Sequence, residues 1–395
     1  MAGKHRKNSD NSQERIEFPD MSKDAFEGAL PDPPAIKQES PKIKKNKRKR
    51  RWIPYSIVGL LLVAGLAGFL AYWYLNPDAV LKKVSLLSGG IVKAPPKMTF
   101  CPLDGRIVKD PAAIKRRPLL VKVENLSDAR PQSGLDRADI VYESMAEGGI
   151  TRFAAFFLCQ DADQIGPVRS ARLQDIDFIS EYDALFAHVG TSDAYANEAS
   201  SSIADLDQFF HEDAYERVDW RDMPHNVYTS TKKLRDLAVT LGYEKEVVLT
   251  SFKFGTVKKQ QAANAIDIPY LADCAVHYDF DAKSGTYLRS VAGQPHTDKV
   301  TGKQLSPVSV IVQYVDYTSS SSGEDYGMGD TQTMGLIGSG RALIFTGGGV
   351  IEGTWSRSGQ TDRTVYTDAK GEPVRLNRGQ IWIEFVPSSW DITYS

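Results

Sequence analysis

Five charged residues and two glycines set the chemical question. In VYESMAEGGITRFAAFFL (141–158), Glu143 and Glu147 stand four positions apart, followed by Gly148, Gly149 and Arg152; IGPVRSAR (165–172) then adds Arg169, Ser170 and Arg172. The flanking runs are apolar enough for buried strands, and an ordinary turn between strands needs only small polar residues. Acids, glycines and arginines in that place point to a polar site at strand ends. Two neighbouring carboxylates can divide acid and base work when their environments separate their pKa values, and such a pair flanks the scissile bond in glycoside cleavage. Guanidinium forks match carboxylates bidentately, so the same residues also fit a structural ion-pair network. The third reading is ligand binding. The shared face of Leu173, Ile176 and Ile179 predicts a helix beginning near Arg169 or Ser170, and a helix start offers unpaired N–H groups to a carboxylate or phosphate. Structural pairing, ligand binding and catalysis all stand at this level.

Histidines extend the candidate set. His188 lies inside the apolar run LFAHVG with Asp193 just beyond it, and His225 sits beside Asn226 in the Pro-led turn MPHNVY. His188 joins Glu143 and Glu147 as a catalytic candidate. The candidate ligand-binding residues are Glu143, Glu147, Arg152, Arg169, Ser170, Arg172, His188, Asp193, His225 and Asn226. His188, Asp193 and His225 could form a relay, but their spacing matches no metal-ligand pattern, so no metal and no cofactor is expected. GxSxG, HExxH and the P-loop are absent. In the C-terminal half His296, Asp298, Tyr287, Trp355 and Trp382 read either as core packing or, for the aromatics, as platforms for a sugar face.

The elements that position these residues follow from the pattern. PLLVKVEN (118–125), DIVYES, TRFAAFFL and ALFAHVG read as strands. SDAYANEASSSIADL and STKKLRDLAVTLG read as helices, capped by Ser192 or Asp193 and by Thr229 or Ser230. From about residue 250 short β-rich runs separated by Gly, Asp and Pro signals predominate, and TSSSSGEDYGMGDTQT is a polar loop. The expected fold class is α+β: a mixed α/β domain with a central sheet (101–247), then a mostly antiparallel β domain (248–395), preceded by one transmembrane helix.

That helix is the clearest single feature. KIKKNKRKRR (42–51) precedes an uncharged run from Ile53 to Leu75, and about 20 apolar residues suffice to cross a bilayer. Basic residues stay on the cytoplasmic side. The expected organisation is therefore a disordered basic cytoplasmic tail (1–51), a span (52–75), a linker (76–100) and an extracytoplasmic remainder. A net charge of −2 with 25% charged residues in 395 gives no reason to expect nucleic acid. The three cysteines, Cys101, Cys159 and Cys274, allow one bridge in an external domain. Cys101 is the expected member, its partner left open, and Cys159, ending an apolar run, reads as a buried free thiol.

ENLSDARPQSGLDRADIVYES, EGGITRF, IGPVRSAR and MPHNVY, followed by GQPHTD, GTWSR and GQIWIEFVP, resemble the YerB-like family, whose members carry the two-part DUF3048 domain. The resemblance spans roughly residues 100–390. It implies a bacterial envelope protein, although the basic tail and uncharged span replace the lipidated N-terminal cysteine of its lipoprotein members. It carries no chemistry onto the candidate residues. Two functions follow as expectations: binding of an anionic cell-wall glycan or of an envelope protein such as a cell-wall enzyme, or cleavage of wall glycan with Glu143 or Glu147 as general acid/base.

Overall fold

In the computed structural model residues 98–257, 260–320 and 331–395 are described. The expected tail, the span and all but the last residues of the linker lie outside the described residues, as does the centre of the Ser/Gly loop. Among the described residues no helix is long and apolar enough to cross a membrane.

A single eleven-stranded sheet runs through both halves of the sequence. Its order is Gln261–Ala262, Gly349–Arg357, Gly338–Thr346, Ser309–Val315, Ile381–Pro387, Ile140–Met145, Thr151–Phe157, Leu119–Glu124, Leu185–Ala187 and Ala204–Asp205, with Val365–Asp368 paired to Gly349–Arg357. The central strands are buried along their length save for Pro387 at one end, which explains their nearly unbroken apolar character. The joint between the halves is parallel: Ile381–Pro387 pairs Ser309–Val315 on one side and Ile140–Met145 on the other. The C-terminal half is therefore not antiparallel throughout. Its remaining ladders are antiparallel, save the short Lys253–Phe254 pair with Arg375–Leu376.

Side-chain alternation divides the sheet into two faces. Leu120, Tyr142, Phe156, Ile311, Ile383 and Phe385 enter one core, closed by Phe178, Ile179 and Tyr182 of the helix Asp175–Tyr182. On the other face Val121, Phe153 and Trp382 meet Leu234 and Ala238 of the helix Thr231–Thr240. Farther along that face Val310, Phe345 and Val386 pack against Ile266, Tyr278 and Tyr287 of a separate five-stranded antiparallel sheet. The fold is β-rich with few helices, consistent with the α+β expectation.

Local chemistry accounts for the helices. The Ser230 hydroxyl caps Thr231–Thr240 by accepting from the Lys233 N–H at 3.2 Å, and Gly242 at φ +71° lets the chain turn away. Ser192 caps Asp193–Glu198 in the same way, but that helix ends well before the 203–206 region, which turns into a short strand. The helix expected from Arg169 begins only at Asp175. Residues 167–171 are extended because they continue the sheet edge: Val168 bridges Val123, and the Arg169 N–H donates to the Lys122 carbonyl at 3.0 Å. Cys159 is not a free thiol. It is bonded to Cys101, and Cys274 is the buried free cysteine.

Phe385, from the C-terminal half, sits 5.3 Å from the Tyr142 ring and 5.4 Å from the Phe178 ring. Phe385→Ala is expected to destabilise the fold by about 3–5 kcal/mol. Because one sheet carries both halves, urea unfolding of this variant followed by tryptophan fluorescence and far-ultraviolet circular dichroism should show one shared transition. Two separated transitions would contradict the joint.

Candidate functional site

Lys122 and Glu124 alternate along one strand and Arg152 lies across from Glu124 on the next, so all three project from the same face. That face collects most of the charged residues flagged by the sequence. Beyond the point where Leu185–Ala187 stops pairing, the extended segment at 167–171 brings Arg169 and Arg172 alongside. Glu147 reaches them from the tight turn after Ile140–Met145. There Gly148 (φ 62°) and Gly149 (φ 75°) take left-handed conformations, and a side chain at Gly149 would collide with Leu271.

The bonding is specific. Arg172 grips Glu147 with both arms: Nη2 donates to Oε2 at 2.8 Å, and Nε donates to Oε1. The Arg172 backbone N–H donates to Asp175 at 2.7 Å, and the other oxygen of Asp175 accepts from the Lys122 ammonium at 2.6 Å. Arg169 Nε lies 2.7 Å from Glu124 Oε2, which is also 2.8 Å from His225 Nδ1. Arg152 stands between the two glutamates, 3.8 Å from Glu124 and 3.6 Å from Glu147, too far for hydrogen bonds. Its Nε and Nη1 are buried with no hydrogen-bond partner among the described residues.

Electrostatics follow from this crowding. Burial works against the charge of Glu147, but the hydrogen bonds and charge of Arg172, with Arg152, outweigh it and hold the carboxyl at about 2. Burial and the neighbouring Arg172 pull Arg152 down to about 10. Burial likewise lowers Lys122, against the pull of Asp175. Three guanidinium groups and a lysine thus face three carboxylates, with the outer members Arg169 and His225 still about one-sixth exposed (17% and 16%). The arrangement favours an added anion.

Glu143 belongs elsewhere. It projects from the opposite face, where Oε2 accepts from Arg289 Nη2 at 2.6 Å and Oε1 from Thr151 at 2.6 Å and Asn125 at 3.2 Å. Arg289 Nη1 also donates to Glu384 at 3.2 Å and to the Tyr278 hydroxyl at 2.9 Å. Arg289, Glu143 and Glu384 are wholly inaccessible. Burial and the adjacent Glu143 push Glu384 well above the ordinary carboxyl value. His296 is held well down by burial and by Arg289; its Nδ1 accepts from Arg289 Nε, leaving Nε2 to donate to Gln132 at 2.7 Å.

The acid–base pair drawn from Glu143 and Glu147 is therefore not assembled, because the two lie on opposite faces with different partners. The His188 relay fails as well. His188 is buried and bonded to Asp205 at 2.9 Å and to the Gly190 carbonyl at 2.9 Å, while Asp193 is exposed at a helix start and His225 pairs with Glu124. Burial opposes protonation of His188, but Asp205 and Asp207 raise it above the ordinary histidine value. Asn226 secures its own loop through Arg217 and the Val218 carbonyl, and Ser170 is half-buried beside Arg169. Trp355, Trp382 and Tyr287 are core residues, and Arg289 stacks on Trp382 at 4.5 Å. Lys122, Glu124, Asp175, Arg289 and Glu384 were missed. The first two had a visible signal, two charges at alternating positions in an otherwise apolar strand.

Comparison with known proteins agrees with this architecture. The family described as "Protein of unknown function (DUF3048) N-terminal domain" matches residues 103–244, and its C-terminal counterpart matches 266–383. A Bacillus subtilis (strain 168) protein named "Putative lipoprotein YerB" is 33% identical over 301 residues, covering 74% of this chain and 87% of that relative. The crystal structure of YerB protein from Bacillus subtilis superposes with a TM-score of 0.67 at 30% identity, over 75% of this chain and 99% of that one.

Glu147→Gln should lose about 3 kcal/mol of stability at pH 7, the equivalent of its displaced titration. The sign is that of a depressed carboxylate. The ionised form stabilises the fold above the ordinary value of 4.5, and that stabilisation is lost as pH falls towards about 2. Urea titrations from pH 7 to pH 2.5 should show the gap between wild type and variant closing across that window. A gap independent of pH would contradict the assignment.

Proposed function

Because this chain belongs to the DUF3048 family, we propose that it is a bacterial envelope-associated binding protein. In this reading it is held by the 52–75 span with its tail in the cytoplasm and its folded part outside, and it takes an anionic group at the arginine cluster. The basic run followed by an uncharged stretch supports the anchor, and the lipoprotein name of the Bacillus subtilis relative supports the compartment. The observation that carries the binding reading is Arg152. It is buried, flanked by Arg169 and Arg172, and keeps two nitrogens without hydrogen-bond partners among the described residues. A buried guanidinium with unused donors is costly unless something completes it. A phosphate or carboxylate entering past Arg169, Ser170 and His225 would do so, and teichoic-type polymers, acidic glycans and lipid-linked precursors all carry such groups.

The alternative of glycan cleavage has less support. General acid catalysis needs a carboxyl that holds its proton near working pH. Glu147 is ionised down to about 2, and Glu143 has no surface through which a sugar could approach.

Calorimetric titration of the full chain with phosphate-bearing wall fragments should give binding that weakens as salt rises, with no response to uncharged glycan. Arg169→Gln, the most exposed member, should weaken it roughly tenfold or more. Equal binding by the variant would overturn the site, and wall fragments shortened on incubation would favour the enzyme. Protease added to intact cells should remove a C-terminal tag; a protected tag would overturn the topology.

A further inference from the structure

We propose that the Cys101–Cys159 disulfide is exchange-active, with Cys159 the sulfur attacked by an incoming thiol, Cys101 the leaving sulfur and Asp139 its proton donor. The bond lies at the end of the strand Thr151–Phe157 remote from the arginine cluster, and its two sulfurs are unequal. Cys101 is 1% exposed, whereas Cys159 is only partly buried and lines an open cleft of about 480 Å³. That cleft is basic: Arg106, Lys109, Arg116 and Arg137 line it against Asp110 and Asp161. Positive charge draws in the thiolate, which is the attacking species.

Behind the bond sits Asp139, fully inaccessible, with a carboxylate oxygen and both sulfurs all within 4.8 Å of one another. Its Oδ2 accepts the backbone N–H groups of Leu158 at 2.6 Å and Cys159 at 2.9 Å, and its Oδ1 meets Arg106 at 3.2 Å. Arg106 is shared with a second buried carboxylate, Asp104. One partly exposed guanidinium thus serves two buried acids. Burial and the charge of Asp104 accordingly raise Asp139 to about 7. A leaving thiolate buried there needs a proton donor, because an unpaired charge left in that interior is costly.

The chemistry balances with a thiol-bearing partner alone. The partner's thiolate forms a bond to Cys159 Sγ as the Cys159–Cys101 bond breaks. Cys101 Sγ keeps the bonding electron pair and takes the proton of Asp139, which becomes a carboxylate. A second thiol of the partner then displaces Cys159 as its thiolate. The partner leaves as a disulfide, oxidised by two electrons, and this chain is left reduced. The basic cleft fits a partner whose thiols lie in acidic surroundings.

The probe is reduced glutathione, an anionic thiol, added to the oxidised full chain at neutral pH. Acid quenching, alkylation and peptide mass spectrometry locate the adduct. Glutathione is expected on Cys159, at a rate above that of the same chain unfolded in guanidinium. Asp139→Asn is expected to slow opening by roughly tenfold or more, the scale of general acid catalysis. An adduct on Cys101, opening only after unfolding, or wild-type speed in folded Asp139→Asn would overturn the proposal. The site and rate of attack are measured on the wild-type chain, so the proposal stands or falls on them even where the variant does not fold.

Discussion

Arg289 is the contact on which the architecture turns. It comes from the small five-stranded sheet, yet its guanidinium closes on Glu143 from the N-terminal half and Glu384 from the C-terminal half, two residues opposite each other across the parallel joint. Trp382 floors the group and Tyr278 takes a further donor. Three elements distant in sequence are thereby fixed in one register, since a one-residue slip would send the glutamates to the other face. Breaking a buried charged contact of this kind typically costs about 3–5 kcal/mol, because the abandoned partner stays buried and unpaired. One guanidinium faces two carboxylates there, and burial together with the adjacent Glu143 raises the proton affinity of Glu384.

The two faces of the same strands carry charge to different ends. Around Arg289 nearly every donor and acceptor is matched and the group is shut off from solvent, which is the signature of a structural network. Around Arg152 the cations outnumber the anions, some donors are unused, and Arg169 and His225 reach solvent. The difference in completeness is what separates scaffold from candidate site. The charged residues that opened the question thus fall into both categories, with Glu143 in the scaffold and Glu147, Arg152, Arg169 and Arg172 at the site.

The strands were legible because continuous apolar runs between turn signals admit few other structures, and the capped helix at Thr231–Thr240 was legible because its signals are local. The start of the helix at Asp175 was not. Leu173, Ile176 and Ile179 have helical spacing, but just before them Val168 and Arg169 find partners on the open strand edge at Val123 and Lys122, a pairing across more than forty positions that no local pattern records. The same limit hid the partner of Cys101 and the partner of Glu143, which lies 146 positions away. Residue types at 141–172 announced that charge would be concentrated there; only the alternation of faces decided which charges meet.

Both candidate sites sit where a ladder of the central sheet ends, and this is a matter of hydrogen-bond supply. At a strand terminus the backbone groups lose their neighbours and must find other partners. At one end Asp139 satisfies the N–H groups of Leu158 and Cys159, which brings a carboxylate oxygen within 4.8 Å of both sulfurs of the disulfide. At the other, the turn at Gly148–Gly149 and the extended segment through Arg169 complete the edge with side chains whose charges do not cancel. Strand Thr151–Phe157 therefore spans from an incomplete cation cluster to a buried acid beside sulfur, and the rigidity that Arg289 imposes on its neighbour is what keeps both ends in place.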